Sequence, residues 1–527
     1  MSLPAFAVPG LCIPDVLSAH ARWQPEALAV VGEGVRLTWR QFVADFHRLA
    51  NALLARGLRK DDKVALLMRS SPEMLTAIAA IAKAGGVVVP LSPLFDPPAI
   101  GRMLVRSGSR FVIATAENRA ALDRLRDTLP EVAEFIAADF AAAGWIDYPR
   151  LLAGQPDSEP RVSLRLDDDF NIMFTSGTTG EPKGTVHSHL SRLLYPLGWG
   201  LPIGLNQRPV TLLATPLYHN GTWISGLPTL HHGGTAVIVP KFEPRRFLEL
   251  LAAERATHCF LVPTQLIGLL ELDDLERHDT ASWRAVLCGG SALPRTVFEA
   301  MRRRLPRVSF FEIYGMSEGF ATFVGPDDYA AGKVGSVGKP LLAVNTDIRI
   351  VDAQGREAAT GEVGEVVGTS ALMMKGYYRD PKRTEEGLWR DPQGHAYLRS
   401  GDLGRLDADG YLYIVGRTKD MILSGGVNIY PIDIEEAFMQ HPEVLEVACI
   451  GVPHERWGET PILLALMKPG AKVDAAGLLA WGNARLAKYQ RVARVEFRAS
   501  FPRNALDKIL KRELREPYWR GRPSDIV

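Results

Sequence analysis

A segment rich in glycine and hydroxyl side chains follows a short apolar run in the first half of the chain. The apolar run, residues 170–174, predicts a buried strand, and the segment after it carries Thr175, Ser176, Gly177, Thr178, Thr179 and Lys183. Glycine lets the backbone approach an anion closely, amides and hydroxyl groups donate to phosphate oxygens, and lysine adds positive charge. We predict a phosphate-binding loop that is not a Walker loop, because Gly-Lys-Ser/Thr is missing. The alternative is an ordinary surface loop, since the same residue types mark turns.

Other short motifs carry the side chains that an enzyme acting on a nucleotide requires. They contain Tyr314, Ser317 and Glu318, then Asp402 in a glycine turn, then Arg417 and Lys419, and finally Lys508. An aromatic ring can stack on a purine, and Asp402 can accept hydrogen bonds from ribose hydroxyls. Glu318 can hold Mg²⁺ against phosphate oxygens, and lysine or arginine can offset charge that builds up during phosphoryl displacement. Taken alone, each also has a structural interpretation, as a core tyrosine, a turn aspartate or a glutamate at a helix N-terminus.

The strands that must position these side chains end in polar turns that contain glycine. The apolar runs are residues 170–174, 210–214, 285–288 and 310–313. In open α/β sheets, ligands bind at the carboxyl ends of the strands. We therefore expect the four strand ends to converge on one site.

The alternation of short apolar runs with helical patterns predicts an α/β fold with mainly parallel sheets. Thr38 and Gln41 have the spacing of a capping box, and residues 74–89 predict a buried helix leading into a strand. Beyond residue 340 strands and glycine turns dominate. We predict a large multi-subdomain N-terminal domain, residues 1–416, and a small mobile α+β C-terminal domain, residues 417–527.

Composition excludes several classes of protein. The 527 residues exceed the size of a single core, and 61 Lys and Arg against 60 Asp and Glu provide no global field for nucleic acid or an anionic membrane. The cysteines are far apart and have no metal-ligand spacing; they are Cys12, Cys259, Cys288 and Cys449. We expect no disulfide framework, no integral membrane association and a cytoplasmic location.

The order and spacing of the motifs resemble the adenylate-forming superfamily of acyl-CoA synthetases, adenylation domains and luciferases. The resemblance extends from about residue 20 to residue 515 and is closest to the AMP-forming acyl-CoA synthetase branch. It implies an ATP-dependent acid–thiol ligase with Mg²⁺ and coenzyme A. A carboxylate attacks the α-phosphate of ATP and expels pyrophosphate, and a thiol then displaces AMP from the acyl-adenylate. Two displacements replace one difficult step, because AMP leaves far more readily than hydroxide.

The resemblance also implies a role for each matching residue. The phosphates would be bound by Thr175, Ser176, Gly177, Thr178, Thr179, Lys183 and Ser317, and the adenine pocket would contain Gly289, Gly290, Ser291, Glu312, Ile313 and Tyr314. Glu318 would hold Mg²⁺, Asp402 and Arg417 would bind ribose, and Lys508 would bridge carboxylate and phosphate. Lys419 would be the hinge that brings Ser424, Gly425 and Gly426 to the thiol after adenylation. His219 would gate the acyl channel, or else be a satisfied core histidine.

The expected substrate is a monocarboxylic fatty or aryl acid. The implied pocket wall has no cation for a second carboxylate; it comprises Tyr218, Thr222, Trp223, Ile224, Gly289 and residues 319–322. The chain departs from the family pattern at Asp507, Gln490 and Val492. The alternatives are a ligase that loads a carrier-protein thiol and, because of Asp507, a nucleotide-binding protein that has lost catalysis. The oligomeric state is left open, with a homodimer as one alternative.

Overall fold

The computed structural model describes residues 10–175, 182–503 and 508–520. In chain order the strands are β1 (Leu28–Gly32), β2 (Val35–Thr38), β3 (Lys63–Leu67), β4 (Val87–Pro90), β5 (Ser109–Ala114), β6 (Glu134–Ala137), β7 (Ile146–Asp147), β8 (Asp169–Thr175), β9 (Lys183–Ser188), β10 (Val210–Leu213), β11 (Thr235–Ile238), β12 (His258–Leu261), β13 (Ala285–Cys288), β14 (Ser309–Gly315), β15 (Ala321–Val324), β16 (Lys339–Pro340), β17 (Asp347–Val351), β18 (Gly364–Thr369), β19 (Gly376–Tyr377), β20 (Leu388–Arg390), β21 (Ala396–Leu406), β22 (Leu412–Arg417), β23 (Ile422–Ser424), β24 (Val427–Ile429), β25 (Val444–His454), β26 (Gly458–Met467) and β27 (Val495–Phe497).

The helices alternate with these strands in the first three hundred residues or so and become sparse afterwards. They are α1 (Ile13–Trp23), α2 (Trp39–Ala55), α3 (Pro72–Lys83), α4 (Pro97–Ser107), α5 (Ala116–Leu125), α6 (Tyr148–Leu152), α7 (His189–Leu193), α8 (Asn220–His231), α9 (Pro244–Ala253), α10 (Pro263–Leu270), α11 (Arg295–Arg304), α12 (Pro326–Ala330), α13 (Pro381–Glu386), α14 (Pro431–Met439), α15 (Ala475–Asn483) and α16 (Lys511–Trp519).

Two large sheets form the body of the molecule, which confirms the predicted α/β class. The first has the strand order β16-β15-β14-β13-β12-β10-β11-β1-β2 and is parallel from β14 to β1. The second has the order β19-β9-β8-β4-β3-β5-β6-β7 and is parallel from β8 to β7. Helix α3 is buried on nearly all sides and leads into β4, as the sequence predicted. The capping box at Thr38 is also present, with Gln41 and Thr38 bonding each other's backbone amides.

A smaller antiparallel sheet follows, and a separate C-terminal domain ends the described chain. The smaller sheet has the order β17-β18-β21-β20, with β22 on β21, and the C-terminal sheet has the order β24-β23-β26-β25, with β27 on β26. Helices α14, α15 and α16 pack on the C-terminal sheet, so this domain is α+β as predicted. None of the helices described here combines the length and apolar character that crossing a bilayer requires. All four cysteines are buried free thiols.

One local prediction was wrong. Asp402 lies inside the long strand β21 and not in a turn, because the strand continues past the irregularity at Gly401 (φ +72°) and pairs Asp402 with Arg417 of β22. The four strand ends come from two sheets. β10, β13 and β14 share the first sheet, whereas β8 is in the second. The site is therefore built between two sheets.

Candidate active site

The phosphate side of the site centres on a lysine, a tyrosine and a glutamate. Lys183, the first residue of β9, has its Nζ 2.6 Å from Oε1 of Glu318 and donates to the hydroxyl of Tyr377 over 2.8 Å. The Tyr377 hydroxyl donates to the same Glu318 oxygen over 2.8 Å. Glu318 is only 4% exposed, so its carboxylate is fixed by these two donors. The sequence identified Lys183 and Glu318, whereas the contact made by Tyr377 depends on the β9–β19 pairing and was missed.

Backbone contacts hold the loop that carries Glu318. The Met374 amide donates to the carbonyl of Glu318 over 2.7 Å. The next residue, Gly319, has φ +143°, and a Cβ there would lie 2.4 Å from the Cα of Met373. Only glycine fits such a close approach of two backbones. The turn after β14 is therefore clamped against residues 372–374.

A tyrosine, an aspartate and an arginine converge where the ribose is expected. The hydroxyl of Tyr314 donates to Oδ2 of Asp402 over 2.8 Å, and Arg417 Nε lies 3.0 Å from Oδ1 of the same carboxylate. Tyr314 comes from β14, and Asp402 and Arg417 are paired across β21 and β22. Burial, with the Asp402 charge second, raises the pKa of Tyr314 well above its usual range, so its hydroxyl stays protonated.

The predicted adenine pocket lies at the ends of β13 and β14. A Cβ on Gly289 would lie 2.9 Å from the carbonyl oxygen of Ile313, so the two chain segments approach without a side chain between them. Gly290 has φ +93°, and Ser291 beside it is exposed. Glu312 accepts a hydrogen bond from the hydroxyl of Tyr329 over 2.8 Å, and burial raises its pKa to about 7.

Lys508 reaches the same region from the C-terminal domain. Burial, with the positive charge of Arg417 second, lowers the pKa of Lys508 to about 8, against the opposing effect of the Asp402 and Asp420 carboxylates. The described structure therefore brings Lys508 close to the Asp402–Arg417 pair. A half-buried ammonium group beside that pair can offset negative charge on a phosphate.

The acid side of the site begins at His219, the N-cap residue of α8. Its Nδ1 accepts the Gly221 amide over 3.1 Å, and burial lowers the pKa of His219 to about 4, so the ring is neutral. Trp223, one turn into the helix, donates its indole N–H to the Leu217 carbonyl over 3.1 Å. These bonds fix the turn that precedes α8. The cap bond satisfies Nδ1, which fits the alternative of a core histidine in part, and among the described residues Nε2 has no hydrogen-bond partner.

The loop predicted to meet the thiol lies between β23 and β24. Gly425 has φ +58°, and a Cβ there would lie 2.8 Å from the ring of Trp457. The guanidinium of Arg456 stacks over the same indole at 4.5 Å. An aromatic face, a cation and a glycine loop together form a surface that the sequence motifs did not reveal, because Trp457 is some thirty residues away along the chain.

Several predicted residues lie outside the described chain. Ser176, Gly177, Thr178, Thr179 and Asp507 are among them, and nothing is concluded about their placement. The backbone of Thr175 ends β8 and pairs with Lys183. Within the described ranges no cluster of three or more His, Cys, Asp or Glu residues could hold a metal by itself. A cation at Glu318 would need ligands from a bound phosphate, which is how proteins commonly hold Mg²⁺.

Comparison with known proteins gives a consistent result along the whole chain. The profile of the family described as AMP-binding enzyme matches residues 17–378, and that of the AMP-binding enzyme C-terminal domain matches residues 433–508. A feruloyl-CoA synthase from Amycolatopsis sp is 36% identical over 506 residues, which covers 95% of this chain and 97% of that protein. The long-chain-fatty-acid–CoA ligase FadD13 of Mycobacterium tuberculosis is 34% identical over 489 residues, covering 92% and 93%.

Solved structures agree with this assignment. The anthranilate CoA ligase AuaEII, in complex with anthranoyl-AMP, superposes on this structure with a TM-score of 0.88 at 25% identity. The match covers 98% of both chains. The large sheets and the separate small domain are thus shared across the full length.

Proposed function

This chain belongs to the family of AMP-binding enzymes, in its acyl-CoA synthetase branch, and from that premise we propose that it joins a monocarboxylic aryl or fatty acid to coenzyme A. The observation that carries the proposal is a pair of clusters joined by the β14 segment, Lys183 with Glu318 and Lys508 beside the Asp402–Arg417 pair. Such a set can bind a nucleoside triphosphate and offset the negative charge that develops during displacement at its α-phosphate.

The first half-reaction joins the acid to AMP. A carboxylate oxygen forms a bond to the α-phosphorus of ATP, the bond to the bridging oxygen breaks, and pyrophosphate leaves with that electron pair. We assign Lys508 to the carboxylate and α-phosphate and Lys183 to the outer phosphates. Asp402 accepts hydrogen bonds from the ribose, and Arg417 holds that carboxylate in place. The chemistry is mainly positioning and charge stabilisation.

Magnesium fits the donor set at Glu318. A single fixed carboxylate beside a phosphate-binding segment matches the preference of Mg²⁺ for one or two carboxylates plus phosphate oxygens. Bound there, the ion would offset charge on the phosphate oxygens. Glu318 would exchange its contact with Lys183 for the cation, which would free the Lys183 ammonium for the phosphates.

The second half-reaction transfers the acyl group to sulfur. A thiolate attacks the carbonyl carbon of the acyl-adenylate, and AMP leaves with the electron pair of the carbon–oxygen bond. We propose that rotation about Lys419 removes Lys508 and presents Gly425 and Trp457 in its place. The stacked Arg456 and Trp457 give this loop a cation and an aromatic face suited to a nucleotide thiol such as coenzyme A.

The nature of the acid follows from the pocket wall. Tyr218, Trp223 and Ile224 are apolar or aromatic. The nearby buried cation, Arg192, is already engaged by neutral partners. This favours an acid with one carboxylate, and the aryl and fatty acids named for the two relatives fit that description.

Release of AMP and formation of a thioester on a panel of acids tests the proposal. We expect coenzyme A, ATP and an aryl or fatty acid to give AMP and acyl-CoA in equal amounts, with dicarboxylic acids much poorer substrates. A thioester formed only with an acyl carrier protein would support the carrier-loading alternative. Nucleotide binding without any acid-dependent AMP would instead indicate a protein that has lost catalysis. Cytoplasmic location and a homodimer remain predictions.

A further inference from the structure

A buried arginine without a carboxylate partner lies behind the acid side of the site. Arg192, on α7, is 1% exposed. Its Nε donates to Asn171 over 3.0 Å, and its Nη1 donates to Asn220 over 2.5 Å and to the hydroxyl of Tyr195. No Asp or Glu of the described chain forms an ion pair with it. A charge held in the interior by neutral groups is costly, so its retention calls for a role beyond packing.

A histidine links this arginine to the phosphate side. His187 Nε2 lies 2.7 Å from the carbonyl oxygen of Ser317, and His187 Nδ1 lies 3.2 Å from Arg192 Nη2. A carbonyl only accepts, so Nε2 carries the proton and Nδ1 accepts from the guanidinium. Burial holds the pKa of His187 well below its usual range, with the Arg192 charge acting in the same direction, so the ring is neutral. Arg192 therefore fixes the turn that carries Ser317 and Glu318.

The other arms of the guanidinium reach the acid side and the strand before the phosphate segment. Asn220 is the first residue of α8 and follows His219 directly, so its bond to Arg192 fixes the start of that helix. Asn171 lies on β8, which leads into the predicted phosphate loop. One rigid planar group thus contacts the segments assigned to the acid and to the strand before the phosphate loop, and reaches the Ser317–Glu318 turn through His187. Lysine, with a single nitrogen, has no equivalent fork.

We propose that Arg192 is a positioning residue for adenylation, which holds the His219–Asn220 segment and the Ser317–Glu318 turn in the spacing that in-line attack requires. The inference rests on the proposed function, since it concerns the step that brings acid and ATP together. A misplacement of about 1 Å between reactants costs about 100-fold in rate. Once the acyl-adenylate exists, its own covalent bond sets that spacing. Arg192 then matters much less for the attack of the thiol.

The two half-reactions, measured separately, test this role. Adenylation is followed as acid-dependent pyrophosphate release, and thioester formation is started from a synthetic acyl-adenylate and coenzyme A. We expect Arg192→Met to lower kcat/KM for adenylation about 100-fold and Arg192→Lys about tenfold. Thioester formation should stay within about threefold of the wild type in both variants. Asn220→Ala, which removes the bonds that Arg192 and Tyr195 donate to the start of α8, should lower adenylation about tenfold and also spare the second step.

Lys83 offers a matched control for the loss of a buried cation. Lys83, at the end of α3, is 3% exposed. Its Nζ lies 2.8 Å from Asp15 on α1 and 2.5 Å from Glu159 in a loop. Lys83→Met should lower the melting temperature and reduce both half-reactions by the same factor, as loss of folded enzyme does. Equal losses in the two half-reactions for the Arg192 variants, or for Asn220→Ala where those variants do not fold, would overturn the inference. A wild-type enzyme with no acid-dependent reaction would instead overturn the proposed function.

Discussion

Two lysines of the site have different electrostatic surroundings. Lys183 is bound to Glu318 and Tyr377 within the N-terminal domain. Lys508 comes from the C-terminal domain and faces both a cation and two carboxylates. We propose that the first is a fixed phosphate ligand and that the second arrives and leaves with its domain.

Lys508 should set the alkaline limb of the adenylation profile. Its pKa is lowered to about 8, so the ammonium form required for charge offset is lost as pH rises through that value. We expect kcat/KM for ATP to fall about tenfold per pH unit above about 8, because this ratio reports the free enzyme. Lys508→Arg keeps its charge at high pH and should move the limb upward, even if its rate is lower. An unchanged limb in that variant would contradict the assignment.

Glu312 should make the stability of the protein depend on pH. Burial raises its pKa from 4.5 to about 7, so the folded protein binds more protons than the unfolded chain between these values, and stability falls as pH rises through that window. Glu312→Gln keeps an acceptor for Tyr329 without the charge. It should raise the free energy of unfolding at pH 8 by about 1 to 3 kcal/mol and change it little at pH 5. Chemical denaturation at both pH values measures this; an equal effect at the two would contradict a titrating Glu312.

Site residues that lie in short motifs with a recognisable chemistry could be predicted from the sequence. In the structure Lys183 contacts Glu318, and Tyr314 contacts Asp402, while their roles toward a nucleotide stay predictions. Arg192 could not be found in this way, because its partners are spread from Asn171 to Asn220 and include no opposite charge. Helix α7 gave no signal of its own, because its buried residues are all polar: His189, Ser191 and Arg192.

At the scale of elements, the turns after the strands determine the site. The predicted runs at 285–288 and 87–89 lie within observed strands because buried parallel strands are nearly continuous apolar runs. Sheet membership could not be predicted, since it depends on pairings such as β4 with β8 that no local pattern encodes. The strand ends expected to converge therefore come from two sheets, which no local pattern could have revealed.

Substitution of Gly425 should impair thioester formation and spare adenylation, which is the reverse of the effect expected for Lys508→Ala. Gly425→Ala introduces a Cβ 2.8 Å from the Trp457 ring at a left-handed position, which must displace the loop or the indole. We expect thioester formation to fall at least about tenfold while adenylation stays within about threefold. Gly470→Ala is the matched control, because Gly470 has φ +81° in the same domain with no heavy atom within 4 Å of its Cβ position. Equal loss in both variants would show that backbone strain alone is responsible.

At the scale of the molecule, the C-terminal domain is connected to the rest through a short segment after β22. Arg515 on α16 donates to the carbonyl of Lys419 over 3.1 Å and lies 3.2 Å from Glu459. The C-terminal domain therefore holds one side of the predicted hinge. The boundary at residues 416 and 417 stays a prediction, and it agrees with the end of β22 at Arg417.

A substitution that makes the hinge rigid should leave adenylation intact and block thioester formation. Lys419→Pro locks φ near −65° and should retain adenylation, while acyl-adenylate accumulates because the loop at Gly425 no longer reaches it. Single-turnover analysis with coenzyme A present measures this accumulation. Lys419→Ala keeps φ free and serves as the control. Thioester formation at the wild-type rate by the proline variant would place the hinge elsewhere.

Exchange of labelled pyrophosphate into ATP tests adenylation most directly, because it needs the first half-reaction and its reversal but no thiol. We expect the wild-type protein to show exchange that requires Mg²⁺ and an aryl or fatty acid, and Lys508→Ala to lose it. That same variant should still form thioester from synthetic acyl-adenylate. Absence of exchange with every acid in a broad panel, from protein that is folded and binds ATP, would contradict the proposed function.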